Sequence, residues 1–286
     1  MTHSRPAIHD LLDRHGLAPR RDLGQNFVAD PNTVRRIAGL AGVGPGDHVV
    51  EVGAGLGSLT LALAETGADV TAIEVDPDLL PALRSVVADH DRIDDDRVDP
   101  GQIHVVEGDA TTLDWAGTLD ATVPGGWTIV ANLPYNVATP LVCDVLDHVP
   151  HVTRLVVMVQ REVAERLAAV PRTRAYGAVS VKVAYWADAR IVGHVPATVF
   201  VPRPNVESAV VEIVRHPRPA TDPDRLFELV RAAFGHRRKM LRRSLAGHVD
   251  AAQFARAGVE PTARPEELDV IAWCRLSDAS TPATTP

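Results

Sequence analysis

The chain has 286 residues, 45% hydrophobic and 23% charged, and its 29 Lys and Arg against 37 Asp and Glu give a formal net charge of −8. That length predicts about two domains with a core needing no covalent staples, and with only Cys143 and Cys274 there is neither a disulfide framework nor a paired-cysteine zinc spacing. No apolar run approaches the roughly 20 residues of a membrane span, and the polar start MTHSRPAIHDLLDRHG does not read as a signal peptide, so a cytoplasmic protein is expected.

Residues 1–45 read as helical segments, with Leu11, Leu12, Val34, Ile37, Ala38 and Ala41 at helical spacing. Arg21 to Val28 interrupts them and reads as a loop. From residue 47 the pattern changes to short apolar runs alternating with helical stretches. Strands are predicted at 47–52, 68–74, 103–107, 127–131 and 155–159, with helices at 58–65 and 79–87. Such alternation implies βαβ units and a parallel sheet. Residues 89–102 hold six aspartates against Arg92 and Arg97 and read as a solvated surface loop. His216 to Pro223 is proline-rich and reads as a linker. Beyond it a helical pattern runs to about residue 276, with Leu226, Val230, Phe234, Leu241 and Leu245 along one face. Residues 277–286 are too small and polar to pack and are expected to be disordered. The scattered histidines show no ligand spacing, so no metal site is expected, and without a repeat or coiled-coil signal a monomer is expected.

Gly53-Ala54-Gly55-Leu56-Gly57 joins the first sheet strand to the next helix, where ligands bind in a doubly wound sheet. Its G-x-G-x-G spacing is not the G-x-G-x-x-G of dinucleotide binders, which argues against an NAD-dependent oxidoreductase. Glu74 ends the second sheet strand, where a carboxylate accepts both ribose hydroxyls. Asp109 ends the third, where it could accept from an adenine amino group. An adenosine with a short charged tail fits these positions, and S-adenosylmethionine is such a ligand. Asn132-Leu133-Pro134-Tyr135 follows the fourth sheet strand. The amino group of a base is a poor nucleophile because its lone pair is delocalised into the ring. Two acceptors on its hydrogens, the Asn132 side-chain oxygen and a backbone carbonyl near Leu133 or Pro134, favour a pyramidal nitrogen able to attack a sulfonium methyl. Tyr135 can stack on the flipped base.

These motifs resemble the ribosomal RNA adenine N6-dimethyltransferases, in particular the bacterial small-subunit branch linked to kasugamycin sensitivity. The resemblance runs from about Gly24 to Leu245 and includes Gly24-Gln25-Asn26-Phe27-Val28, Glu51 to Gly57, Glu74-Val75-Asp76, Gly108-Asp109-Ala110 and Asn132 to Tyr135. It continues through Gln160 to Arg166, Pro196 to Pro204 and Phe234 to Lys239. It implies a Rossmann-like class I methyltransferase fold (α/β, a seven-stranded mostly parallel sheet) followed by a small all-helical domain. The corresponding division is a methyltransferase domain at 1–215, including the N-terminal helical segment, and an RNA-docking domain at 216–276. By resemblance, Asn26, Val28, Gly53, Gly55, Glu74, Asp109 and Asn132 hold S-adenosylmethionine. Asn132, Leu133, Pro134 and Tyr135 hold the target adenine, and Phe200 stacks on its other face; a core position is the alternative for Phe200. The implied reaction dimethylates N6 of two adjacent adenines near the 3′ end of 16S rRNA in a partly assembled small subunit. Two alternatives stay open: a large-subunit enzyme of the macrolide-resistance type, and a non-catalytic RNA-binding assembly factor.

The net charge hides an asymmetry, since residues 215–286 carry 12 Lys and Arg against 9 Asp and Glu, or +3. Residues 231–243 hold six cations and no acid. As one helix they would align Arg238 with Arg242 and Lys239 with Arg243 in a basic strip. Arg237, Arg238, Lys239, Arg242 and Arg243 are therefore the expected RNA contacts.

Overall fold

A computed structural model describes residues 2–93 and 102–280. Its contacts divide the chain into two compact units, one built from the chain up to Ala164 with Arg190–Val214, the other from Glu165–Ala189 and the chain from Arg215 onward.

The first unit opens with α1 (Arg5–His15), the short strand β1 (Phe27–Val28) and α2 (Pro31–Ala41). Helix α2 starts where the Asp30 carboxylate accepts from the backbone N–H groups of Asn32 and Thr33, and it stops at Gly42, whose φ is +59°. Alternation follows: β2 (His48–Val52), α3 (Ser58–Ala64), β3 (Asp69–Glu74), α4 (Leu80–Ile93), β4 (Ile103–Glu107), α5 (Trp115–Thr118), β5 (Trp127–Asn132), α6 (Ala138–His148) and β6 (Val152–Gln160). The chain continues through α7 (Arg161–Leu167), α8 (Ala178–Trp186), β7 (Ala187–Val195), β8 (Phe200–Val201) and β9 (Ser208–Arg215).

Seven strands form one sheet in the order β4-β3-β2-β5-β6-β9-β7. The β2–β3, β3–β4, β2–β5 and β5–β6 pairs are parallel, and β9 joins β6 antiparallel. Strand β2 thus lies between β3 and β5, and the turns leaving β2, β3 and β5 meet at one end of the sheet, at the reversal of strand order where doubly wound sheets bind ligands. Strands β2 and β5 are buried almost throughout, as parallel strands covered on both faces are. A separate two-stranded sheet pairs β1 with β8, setting Val28 opposite Phe200. Val28, Val34, Ile37, Leu63, Met158 and Phe200 share one buried cluster.

The second unit comprises α8, α9 (Pro223–Phe234), α10 (Leu241–Ser244), α11 (Ala251–Ala257) and α12 (Val270–Ser280) with their connections. Its core gathers Tyr176, Tyr185, Leu226, Phe227, Leu229, Phe254 and Trp273.

The sequence division needs adjustment here. Glu165–Ala189 belongs with the C-terminal helices rather than with the sheet. The reason is burial: Tyr176, Val181 and Tyr185 enter the helical core, and the Tyr176 hydroxyl donates to the Leu268 carbonyl at 2.8 Å. The start of the expected acidic loop is helical, since α4 runs to Ile93, and 94–101 lie outside the described residues. The start of the expected tail is helical too, because α12 runs to Ser280 and buries Ser277 and Ser280; 281–286 lie outside the described residues. The basic segment is not one helix. Helix α9 ends at Phe234, turns cover Gly235 to Lys239, and α10 begins only at Leu241. The chain departs there because the Leu241 and Arg242 N–H groups donate to the carbonyls of Ala263 and Pro261. The predicted i,i+4 alignment of Arg238 with Arg242 and Lys239 with Arg243 does not form.

Candidate active site

A cleft opens at the switch point, lined by the 23–28 loop, the glycine turn, Glu74, Val75, Leu79 and Asn132 to Tyr135. The glycine turn brings bare backbone to its wall. Gly53, Gly55 and Gly57 have φ of +74°, +58° and +82°, a region L side chains avoid. At Gly57 a Cβ would also meet Leu83 Cδ1 at 2.9 Å, so the end of that side chain would have to shift.

Glu74 stands at the end of β3 with only 4% of its surface exposed. Its Oε2 accepts from Gly55 N–H at 2.7 Å and its Oε1 from Asp76 N–H at 2.9 Å. Burial pushes its carboxyl pKa up, against the pull of those two N–H groups. Each oxygen keeps a second lone pair, so the fixed carboxylate can still receive two hydroxyls. Glu51, inside β2, is buried and accepts from the Thr60 hydroxyl. Burial raises its pKa to about 8.

The 23–28 loop is fastened at three points. Gln25 Nε2 donates to Asp76 Oδ2 at 2.6 Å, while its Oε1 accepts from Arg20 N–H at 2.8 Å. Arg20 also approaches the buried Asp76 at 3.6 Å. At the end of the loop, β1 is stitched to β8. Between these anchors the Asn26 carbonyl accepts from Asn132 Nδ2 at 3.0 Å, across 106 positions of sequence. An amide whose nitrogen is committed to a carbonyl must present its oxygen the other way. Asn132 Oδ1 is therefore the acceptor offered to a ligand. Beside it, the Pro134 carbonyl accepts from Val137 and Ala138 N–H at the start of α6. Of the two backbone carbonyls considered from sequence, that of Leu133 is the one left to receive a ligand hydrogen.

Tyr135 lines the cleft, and its hydroxyl pairs with the Ser208 hydroxyl at 2.9 Å. Ser208 is fully buried at the start of β9, opposite Gln160. Burial raises the Tyr135 phenol pKa, so it stays neutral. What the residue offers is a fixed ring.

Asn26, Val28, Gly53, Gly55, Glu74, Asn132, Leu133, Pro134 and Tyr135 all line this cleft. Two expected site residues do not. Asp109 turns back on its own loop, where Oδ1 accepts from the Thr111 N–H at 2.9 Å and hydroxyl at 2.7 Å. Phe200, expected to stack on a base, has no exposed surface and packs with Val28, Val34 and Ile37 because β8 pairs with β1. Arg237, Arg238, Lys239, Arg242 and Arg243 lie in the second unit. Sequence reasoning missed Ser208, Gln25 and Asp76 as site components. Asp76 carried one usable signal, an acid two residues after Glu74; Ser208 carried none, because the antiparallel β9 was not foreseen.

A family model described as ribosomal RNA adenine dimethylase matches residues 16–281. The ribosomal RNA small subunit methyltransferase A of Thermobifida fusca is 47% identical over 278 residues, covering 95% of this chain and 93% of that protein. Its namesake in Cutibacterium acnes is 44% identical, covering 96% and 92%. Among solved structures, the 23S rRNA methyltransferase ErmE superposes with a TM-score of 0.66 at 26% identity, over 89% of this chain and 99% of that one. A dimethyladenosine transferase from Plasmodium falciparum gives 0.69 at 22% identity, over 86% and 94%. The fold is that of the class I methyltransferases.

Proposed function

The chain belongs to the ribosomal RNA adenine dimethylase family, and from that premise we propose that it dimethylates N6 of two adjacent adenines near the 3′ end of 16S rRNA. It acts as a monomer in the cytoplasm on a partly assembled small subunit, with S-adenosylmethionine as methyl donor. The observation that carries the reading is the Asn132 amide, held by the Asn26 carbonyl with its oxygen turned outward. A pure binding protein has no use for that arrangement.

When bound, S-adenosylmethionine supplies an electrophilic methyl on a sulfonium. The residues present suit it, since the glycine turn leaves room for close approach and Glu74 keeps two lone pairs for ribose hydroxyls. Asn26 and Val28 close the cleft from the loop side, with Gln25 and Asp76 clasping that loop. Val75 and Leu79 line the cleft toward the adenine end, and Asp109, exposed after β4 with only its Oδ1 taken by Thr111, accepts from the adenine amino group through Oδ2. Asn132 Oδ1 and the Leu133 carbonyl receive the two N6 hydrogens of the target adenine. That arrangement localises the lone pair on nitrogen and orients it, and pre-set acceptors of this kind are typically worth ~3–4 kcal/mol each. Tyr135 presents a neutral ring to the base, and Arg238, Lys239, Arg242 and Arg243 engage phosphates.

The test is incubation of the chain with labelled S-adenosylmethionine and unmethylated small subunits, followed by mapping of the label. Two adjacent adenines in 16S rRNA are expected to carry it, and Asn132→Ala to lose it by about 100-fold or more while staying folded. Label on large-subunit RNA alone overturns the substrate, and transfer at the wild-type rate by Asn132→Ala overturns the mechanism.

A further inference from the structure

Arg237 was expected to touch phosphate, but its guanidinium is engaged within the protein. Its Nη2 donates to the Arg174 carbonyl at 3.1 Å and its Nε lies 3.7 Å from Glu266 Oε2. It therefore ties the basic segment to a loop more than 60 positions earlier in the chain. That loop is rigid. Arg172 N–H donates to the Glu266 carbonyl at 2.8 Å, and the Thr173 hydroxyl to Val170 at 2.7 Å. Just beyond the loop, Tyr176 is anchored to Leu268 at 2.8 Å. The basic segment is clamped to the same stretch, through Leu241 to Ala263 and Arg242 to Pro261. Both cationic segments are thus fixed to residues 261–268.

Arg172 has a φ of +68°, the only non-glycine among the described residues in the left-handed region. Glycine adopts that conformation without cost, whereas a side chain there is strained, and such strain clusters at functional positions. Arg172 and Arg174 are both exposed, and among the described residues neither has an acidic partner. Arg238, Lys239, Arg242 and Arg243 are exposed as well. The nearby acids have other tasks: Glu266 faces Arg237, Glu267 accepts from Arg264 N–H, Asp269 accepts from Ala272 N–H, and Glu260 accepts from the Thr262 hydroxyl.

We propose that Arg172 and Arg174 extend the RNA-docking surface and contact the sugar–phosphate backbone, with Arg237 as the bracket that seats them. This rests on the RNA-methylating function proposed above. Five of the six exposed cations are arginines, whose planar fork grips phosphate in bidentate fashion.

The test measures association of the full chain with unmethylated small subunits against KCl concentration, at fixed magnesium. Neutralising two phosphate contacts lowers the slope of log affinity on log salt by about 1.4 to 1.8. Arg172→Gln with Arg174→Gln, which keeps most of each stem, is expected to show that loss and a raised KM for subunits with unchanged kcat. Arg172→Lys with Arg174→Lys is expected to restore most of the slope, which separates lost charge from a damaged loop. Arg242→Gln with Arg243→Gln serves as comparator. An unchanged slope in the 172/174 pair while the comparator loses its share overturns the proposal alone. Unchanged slopes in both pairs overturn the docking surface itself, and this extension with it.

Discussion

Replacing Ser208 by alanine removes the hydroxyl that holds Tyr135 from 73 positions away. One neutral hydrogen bond contributes ~0.5–1.5 kcal/mol net, and each ~1.4 kcal/mol is tenfold in rate, so a bond that serves only to hold the ring should change kcat/KM by about 2- to 13-fold. Because Ser208 is fully buried and Tyr135 half-buried, the variant also leaves a phenol without its partner and should lose about 1 kcal/mol of stability. Tyr135→Phe removes the same bond from the other side while keeping the ring, and should lose rate to the same extent. The double variant should lose no more than either single one, since the bond can be broken only once. The assay is methyl transfer to unmethylated small subunits, with kcat and KM resolved and donor affinity measured separately. Donor affinity should stay within about twofold, because Glu74 and the glycine turn are untouched. Wild-type kcat/KM in both single variants would refute the positioning role. Losses that multiply in the double variant would refute it too, by showing that each hydroxyl acts alone.

Glu51→Gln tests the buried carboxyl. Its folded pKa of about 8 lies above the unfolded value of ~4.3, so the folded chain keeps a proton that the unfolded chain has lost, and stability falls as pH rises between those values. The amide keeps an acceptor for Thr60 and removes that slope, so Tm should rise relative to wild type at about pH 9 and change little at about pH 5; a larger gain at low pH contradicts the assignment. Phe200→Ala should cost ~3–5 kcal/mol as a core truncation, and Phe200→Leu should stay folded with near-normal kcat. A folded Leu variant slowed a hundredfold or more would return Phe200 to the base.

What could be read from the sequence was local. The glycine turn, Glu74 and Asn132 to Tyr135 each follow a strand whose period and composition announce it, and the parallel sheet brings strand ends together without further information. Contacts across strand order were out of reach. Nothing near Asn132 names Asn26, and nothing near Tyr135 names Ser208; both pairs exist because β1 is held by β8 and β9 runs antiparallel to β6. Phe200 misled because its proline neighbours suggested an open loop, whereas pairing with Val28 draws it inward. Asp109 has a local task that the sequence reading did not name, since an aspartate two residues before a threonine readily caps its own turn, here through one carboxylate oxygen. The basic segment misled because a run of like charge says nothing about where a helix breaks.

The group that orients Asn132 is a main-chain carbonyl, not a side chain. Every residue type carries that carbonyl, so the orientation depends on where the backbone passes, and the Asn26 side chain bears on it only through its bond to the Gly24 carbonyl at 2.9 Å. The constraint on this stretch is thus one of path length. Inserting or deleting a single residue between the Gln25 clasp and the β1 pairing would shift the carbonyl by about 3.5 Å, one extended residue, beyond reach of the amide. Substitution at 26 keeps the carbonyl and removes the side-chain bond to the Gly24 carbonyl, whereas a change in loop length disables the acceptor that N6 requires.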